Sequence, residues 1–344
     1  DGNVAFFSSQ GPTQGAAGAT DRYKPDVVAP GYMITSANSN SPGDCPVTEM
    51  AGTSMATPVT AGDVALIRQY LREGYYPSGA PNAANGRLPS GALMKAMVIQ
   101  SAVSLTGSYQ GQPLAPTPSN IQGFGRVQLN RVLFSGAGGV GPTKRLFFVD
   151  GGTDGTLTAT GSQQAFEIVT TGVDAVLGSE LKVTLVYTDP AAQPLDNTPL
   201  INNLNLRVSY PTATGLTTTL WGNGVTNGDP KNNVEQVSFQ LTSAAPGATV
   251  SVSVLGASIV QGPQKYALVV TGPIDVAADD LPPGGGGGGG GGGNSGIGPP
   301  SPPANIGDAV ALGLSFPLLA LALAGGGCFA FRRRGVPAPA AGGK

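Results

Sequence analysis

Gly52-Thr53-Ser54-Met55-Ala56-Thr57-Pro58-Val59-Thr60-Ala61-Gly62 sets a serine hydroxyl directly before a run of small and apolar residues. Proline lacks a backbone N–H and its ring collides with the carbonyl four residues back, so a helix accepts it in the first turn rather than in the interior. Pro58 therefore predicts a helix that begins close to Ser54. A serine there has two readings. Its hydroxyl can cap the helix by accepting a backbone N–H, or it can stand as a nucleophile where free N–H groups and the positive end of the helix dipole stabilise a developing oxyanion. Position alone favours the cap.

Outward from this run, apolar residues recur at helical spacing over residues 54–71 and again over 90–104, and short β-like pieces stand at 5–8 and 26–29. Mixed β and α over residues 1–135 predicts part of an α/β unit. From 146 to 272 the period changes to two. Leu181, Val183, Leu185 and Tyr187 share one face, as do Val250, Val252 and Val254, and Tyr266, Leu268 and Val270. Such alternation, punctuated by Gly, Pro and Asn, predicts half-buried strands of an antiparallel sandwich or jelly roll, a second domain.

Residues 273–308 read as a linker, because they contain ten consecutive glycines from Gly284 to Gly293 and a proline-rich piece that cannot bury a core. Residues 310–331 carry no charge in 22 positions, enough at ~1.5 Å per residue to cross a hydrocarbon layer of ~30 Å. Residues 309–331 are thus expected to form a transmembrane helix. Arg332-Arg333-Arg334 follows it, which places residues 332–344 in the cytosol and predicts a single-pass type I protein with the rest of the chain extracellular or luminal.

Composition narrows the chemistry. The 344 residues hold 18 basic and 20 acidic side chains with no basic stripe, so nucleic acid is not an expected partner. Two cysteines, Cys45 and Cys328, are too few for a disulfide scaffold; Cys328 lies in the apolar run and Cys45 has no evident partner. Histidine is absent altogether. An imidazole base has to come from elsewhere.

The run from Gly52 to Gly62 resembles the nucleophile segment of the subtilisin-like serine proteases, the subtilases of peptidase family S8. Phe7-Ser8-Ser9-Gln10-Gly11-Pro12 and Lys24-Pro25-Asp26-Val27-Val28-Ala29-Pro30-Gly31 are similar to the segments that lead to that nucleophile. Ala92-Leu93-Met94-Lys95-Ala96-Met97-Val98-Ile99-Gln100-Ser101-Ala102 and Gly123-Phe124-Gly125-Arg126-Val127 are similar to the helix and closing segment that follow it. The resemblance covers residues 3–134 and implies a partial parallel-sheet subtilisin-like domain. The β-rich region is similar to the C-terminal β-sandwich of one branch of large subtilases, through residues 181–189, 202–206 and 232–235.

The implied activity is that of an endopeptidase acting on extracellular or luminal proteins or peptides. Ser54 attacks the peptide carbonyl, a histidine takes its proton, an aspartate orients the histidine, and water hydrolyses the acyl-enzyme. In subtilase order the aspartate, the histidine and the oxyanion amide all precede the serine, so the chain reads as N-terminally truncated and inactive by itself. Asp21, Asp26 and Asn3 fall in scaffold segments and are not promoted into those roles, and Lys24 and Lys95 read as solvated. The chemistry needs no cofactor. The branch's association with calcium makes a structural Ca2+ compatible with the β-region, although this chain has Asn202, Asn203 and Asn205 where acidic residues are common; no ligands are named. Two alternatives stand beside this reading. One is a catalytically inactive relative displaying a β-sandwich binding module at the membrane. The other is the sedolisins, which share the Gly-Thr-Ser opening, but the flanking segments favour the subtilisin branch.

Overall fold

The computed structural model describes residues 2–15, 18–19, 22–38, 46–136, 140–193, 200–212, 214–241 and 247–276. In chain order the first part holds β1 (Gln14–Gly15), β2 (Gly18–Ala19), β3 (Ile34–Ala37), β4 (Val47–Met50), α1 (Thr53–Arg72), α2 (Gly91–Ser101), β5 (Ser108–Tyr109) and β6 (Gln112–Pro113). The second part is all strand: β7 (Leu146–Asp150), β8 (Thr156–Leu157), β9 (Gln163–Thr170), β10 (Glu180–Tyr187), β11 (Asn202–Pro211), β12 (Thr217–Trp221), β13 (Val234–Gln240), β14 (Thr249–Ile259), β15 (Gln264–Thr271) and β16 (Ile274–Asp275).

The expected α/β architecture is not what the chain forms. Its described part is mostly antiparallel strand with two α-helices, and β1–β2, β3–β4 and β5–β6 are isolated antiparallel pairs. A parallel sheet needs strands joined by crossovers of a dozen or more residues. Of the two expected β-like pieces, residues 5–8 form a turn, and 26–29 contribute one parallel bridge, Val28 to Arg126. The expected transmembrane helix is not supported either: among the described residues no helix is long and apolar enough to cross a membrane. The segment 309–331 on which that expectation fell, with its linker and tail, lies outside the described residues.

The ten later strands make two sheets. One has the order β13-β10-β15-β7, with β8 also on β15; the other has the order β12-β11-β14-β9-β16. All their pairings are antiparallel. Leu181, Val183, Leu185 and Tyr187 of β10 meet Leu204, Leu206 and Val208 of β11 and Val250, Val252 and Val254 of β14 in one apolar layer between the sheets.

Period-two alternation implied that the other face of these strands is wet, and for β10 and β15 it is not. Val186, Ala267, Val269, Leu146 and Phe148 form a second apolar layer with Leu93, Ala96, Met97 and Ile99 of α2 and with Ile67, Tyr70 and Leu71 of α1. Each such Leu, Ile or Phe withdrawn from water contributes about 1.5–3 kcal/mol before entropy is charged against it. The arrangement is therefore helix on sheet on sheet.

Helix α2 suits this middle position. Ser90 caps it, its Oγ accepting from the Leu93 N–H at 3.0 Å, while the Ser90 N–H donates to Asp150 Oδ2 at 2.9 Å and ties the helix start to the end of β7. Gln100, fully buried, donates from Nε2 to the Lys182 carbonyl at 2.8 Å and to Thr271 Oγ1 at 2.7 Å. Lys182 returns the contact, its Nζ donating to the Ala102 carbonyl at 2.7 Å.

Candidate active site around Ser54

Gly52, not Ser54, occupies the N-cap of α1, and no side chain caps that end. Gly52 holds φ 157° and ψ 162°, a combination essentially reserved to glycine. Its N–H donates to the Gly31 carbonyl at 2.7 Å, and its own carbonyl accepts from the Met55 N–H at 3.0 Å. A Cβ at Gly31 would stand 2.8 Å from the Gly52 oxygen, so the approach of these two segments depends on a bare backbone there.

Ser54 is the second residue of the helix and exposed, and among the described residues nothing hydrogen-bonds to its hydroxyl. The capping role is thereby excluded. Pro58 lies deeper than expected, as the sixth helical residue rather than in the first turn. Having no N–H, it deprives the Ser54 carbonyl of its usual donor four residues on. The backbone on both sides of Ser54 is thus shaped by residues without ordinary side-chain or N–H requirements.

The other motif segments converge behind this turn. The Phe124 N–H donates to the Asp26 carbonyl at 2.9 Å, the Val28 N–H to the Gly125 carbonyl at 2.9 Å and the Arg126 N–H to the Val103 carbonyl at 2.8 Å. Asp26 spends its carboxylate on Lys24 Nζ at 2.6 Å and Lys95 Nζ at 3.1 Å. Burial pushes its carboxyl up, but the two ammonium groups outweigh this and hold it below the ordinary value. Lys95 is therefore half-buried and paired rather than solvated. Asn3 serves the backbone, its Oδ1 accepting from the Ser108 N–H at 2.7 Å. Asp21 and Cys45 lie outside the described residues.

One ionisable group on α1 escaped the sequence reading. Asp63 is 4% exposed, and burial raises its carboxyl to about 6. It follows Ser54 by nine residues, two and a half turns, which puts it on the opposite side of the helix and ~13 Å along the axis. It is no base for Ser54. An acidic residue inside an otherwise small and apolar helical run was the available signal.

The asparagines weighed for a metal differ from one another. Asn202 is saturated: its Oδ1 accepts from the Val260 and Gln261 N–H groups, and its Nδ2 donates to the Gln261 carbonyl and Gln264 Oε1. Asn203 Oδ1 and Asn205 Oδ1 are buried without partners. Among the described residues no three or more His, Cys, Asp or Glu side chains are grouped to hold a metal ion.

Residues 1–125 match the Subtilase family, Peptidase_S8. The chain is 30% identical over 318 residues to the serine protease/ABC transporter B family protein tagD of Dictyostelium discoideum, an alignment covering 79% of this chain and 17% of that protein. The tagB protein of the same organism gives 30% over 320 residues, 79% of this chain and 16% of the relative. Serine protease AprX of Bacillus subtilis (strain 168) is 42% identical over 79 residues, 20% of this chain and 17% of AprX. The chain thus spans about a sixth of the length of each of these relatives, and the two Dictyostelium alignments extend beyond residue 125 into the β-rich part.

Proposed function

We propose, from the premise of a subtilase-family match over residues 1–125, that Ser54 is the acyl-forming nucleophile of a serine endopeptidase acting on protein substrates. The observation that carries this reading is the free, exposed Ser54 hydroxyl at a helix start whose cap is a glycine. Attack of Ser54 Oγ on a peptide carbonyl forms a tetrahedral oxyanion, and the Ser54 N–H, at the positive end of α1, is placed to donate to it. The serine proton passes to a base and then to the departing amine, leaving an ester that water hydrolyses.

The base is the missing part. With no histidine in 344 residues, an imidazole has to come from polypeptide outside them. The face that would receive it is consistent with such a neighbour. Thr57, Pro58, Ala61, Gly62 and Ala65 are all exposed along one stripe of α1, where a solvent-facing helix ordinarily carries charge. Small residues let another backbone approach closely.

A fluorophosphonate probe tests the assignment, because it labels a serine only when a working base activates it. The longest native protein containing this chain is expected to label, and its Ser54→Ala variant is not. Labelling that survives Ser54→Ala in a pure preparation removes Ser54 from the chemistry. A native protein that never labels, yet folds, favours the inactive binding-module reading, which the missing histidine keeps in view.

A further inference from the structure

The β-rich part reaches the segment that leads to the serine turn through Arg22 and Tyr23. Arg22 Nε donates to the Lys231 carbonyl at 2.9 Å, and the Tyr23 N–H donates to Asn232 Oδ1 at 3.0 Å. Lys231 and Asn232 belong to the connection between β12 and β13, which passes from the second sheet to the first. Arg22 and Tyr23 open the run that ends at Gly31, whose carbonyl accepts the Gly52 N–H.

Asn232 is not free to turn. It is 7% exposed, its Nδ2 donates to Asp229 Oδ2 at 2.8 Å, and its own N–H donates to Asp229 Oδ1 at 3.2 Å. Asp229, 2% exposed, also accepts from the Lys231 N–H at 2.9 Å and from Asn223 Nδ2 at 2.8 Å. Asn223 is anchored in turn to β13, its Nδ2 donating to the Val234 carbonyl at 2.9 Å and its Oδ1 accepting from the Gln236 N–H at 3.1 Å. Taking a carboxylate out of water is costly, and the N–H groups around Asp229 offset that cost only while they are held in place. A connection that merely had to lead from β12 to β13 could do so with solvated turn residues. What the buried carboxylate adds is a fixed direction for Asn232 Oδ1, and that atom is given to Tyr23.

The segment between Tyr23 and Gly31 is stiffened along its length. Pro25 and Pro30 lock φ at two positions, Asp26 accepts from Phe124, and Val28 bonds Gly125 and, through its carbonyl, the Val127 N–H at 3.2 Å. Its two ends therefore move together. At the far end the partner is Gly52, the N-cap of a helix start that no side chain caps, and Ser54 stands two residues on. We propose that Asn232, locked by Asp229 and flanked by the Arg22–Lys231 bond, is a positioning residue for the Ser54 turn: the β-rich part fixes the start of the segment 22–31, and the segment fixes where the serine stands. For its catalytic consequence this rests on the reading of Ser54 as nucleophile.

The test has one readout outside catalysis and one within it. In the whole chain, Asn232→Ala is expected to speed deuterium exchange at the Gly52 amide about tenfold. Asn202→Ala, which removes a buried asparagine bonded to Val260, Gln261 and Gln264 instead, is expected to leave Gly52 unchanged. Should Asn232→Ala fail to fold, Arg22→Ala breaks the neighbouring bond from the other side and carries the same expectation at Gly52. In the longest native protein containing this chain, Asn232→Ala is expected to lower the maximal rate of fluorophosphonate labelling about tenfold without changing the probe concentration that gives half of it, because a displaced nucleophile loses rate rather than binding. Unaltered exchange at Gly52, or equal acceleration in Asn202→Ala, overturns the proposal. Faster exchange with an unchanged maximal labelling rate overturns it as well, since the contact then steadies the turn without placing the serine. A native protein that folds and never labels removes the nucleophile reading, and the comparison at Gly52 still decides whether the β-rich part holds the turn.

Discussion

Asp63 converts burial into a pH dependence whose sign is fixed. Its carboxyl lies at about 6 in the fold against 3.8 unperturbed, so the folded state binds its proton more tightly than the unfolded state does. Below pH ~4 both states are protonated and nothing is lost. As pH rises from about 4 to 6 the unfolded state ionises first, and above that the fold carries a charge in an apolar place at a cost of about 3 kcal/mol. Asp63→Asn is therefore expected to raise the unfolding free energy at pH 7 by an amount of that order and to change it little at pH 3.5, as read by urea denaturation at both values. An equal gain at both pH values would mean that packing, not charge, is the cause. The same residue shows what a single sequence conceals: Ser54 announces itself through its neighbours, whereas the burial of Asp63 depends on what covers it.

At the scale of elements, α1 and α2 were legible from apolar spacing, whereas Pro58, expected in the first turn, stands sixth in α1. The second layer over β10 and β15 was not legible. Alternation marks one buried face, and the residues between, such as Lys182, Thr184 and Thr271, look like solvent positions until a helix is laid on them. Lys182 instead reaches the last turn of α2, and burial draws its ammonium below the ordinary value against the pull of Glu180. The expected parallel sheet failed for the complementary reason, because one bridge at Val28 cannot make a ladder. Gln100 joins α2 to β10 and β15, and truncating it strands the Lys182 carbonyl and the Thr271 hydroxyl in a dry contact. Gln100→Ala is expected to cost about 2–4 kcal/mol of stability, measured by chemical denaturation. A loss below about 0.5 kcal/mol would show that water replaces the amide there.

Over the whole molecule, layering sets how unevenly the described chain is protected. The first sheet is covered on both faces, by α2 and by the second sheet, while the first half of α1 has little over it. An amide exchanges its hydrogen for deuterium only when its bond opens, and the cost of opening follows what has to be moved aside. The amides of β10 and β15 are expected to exchange last, through global unfolding, and those of residues 53–57 first, through fraying of the helix start. Mass-resolved exchange that found residues 53–57 as slow as β15 would show that the serine turn is already covered in solution. The end of α1 that carries Ser54 is thus the part of this chain with the most to gain in protection from a neighbour, and the clock that would report that neighbour's arrival is already built into its backbone.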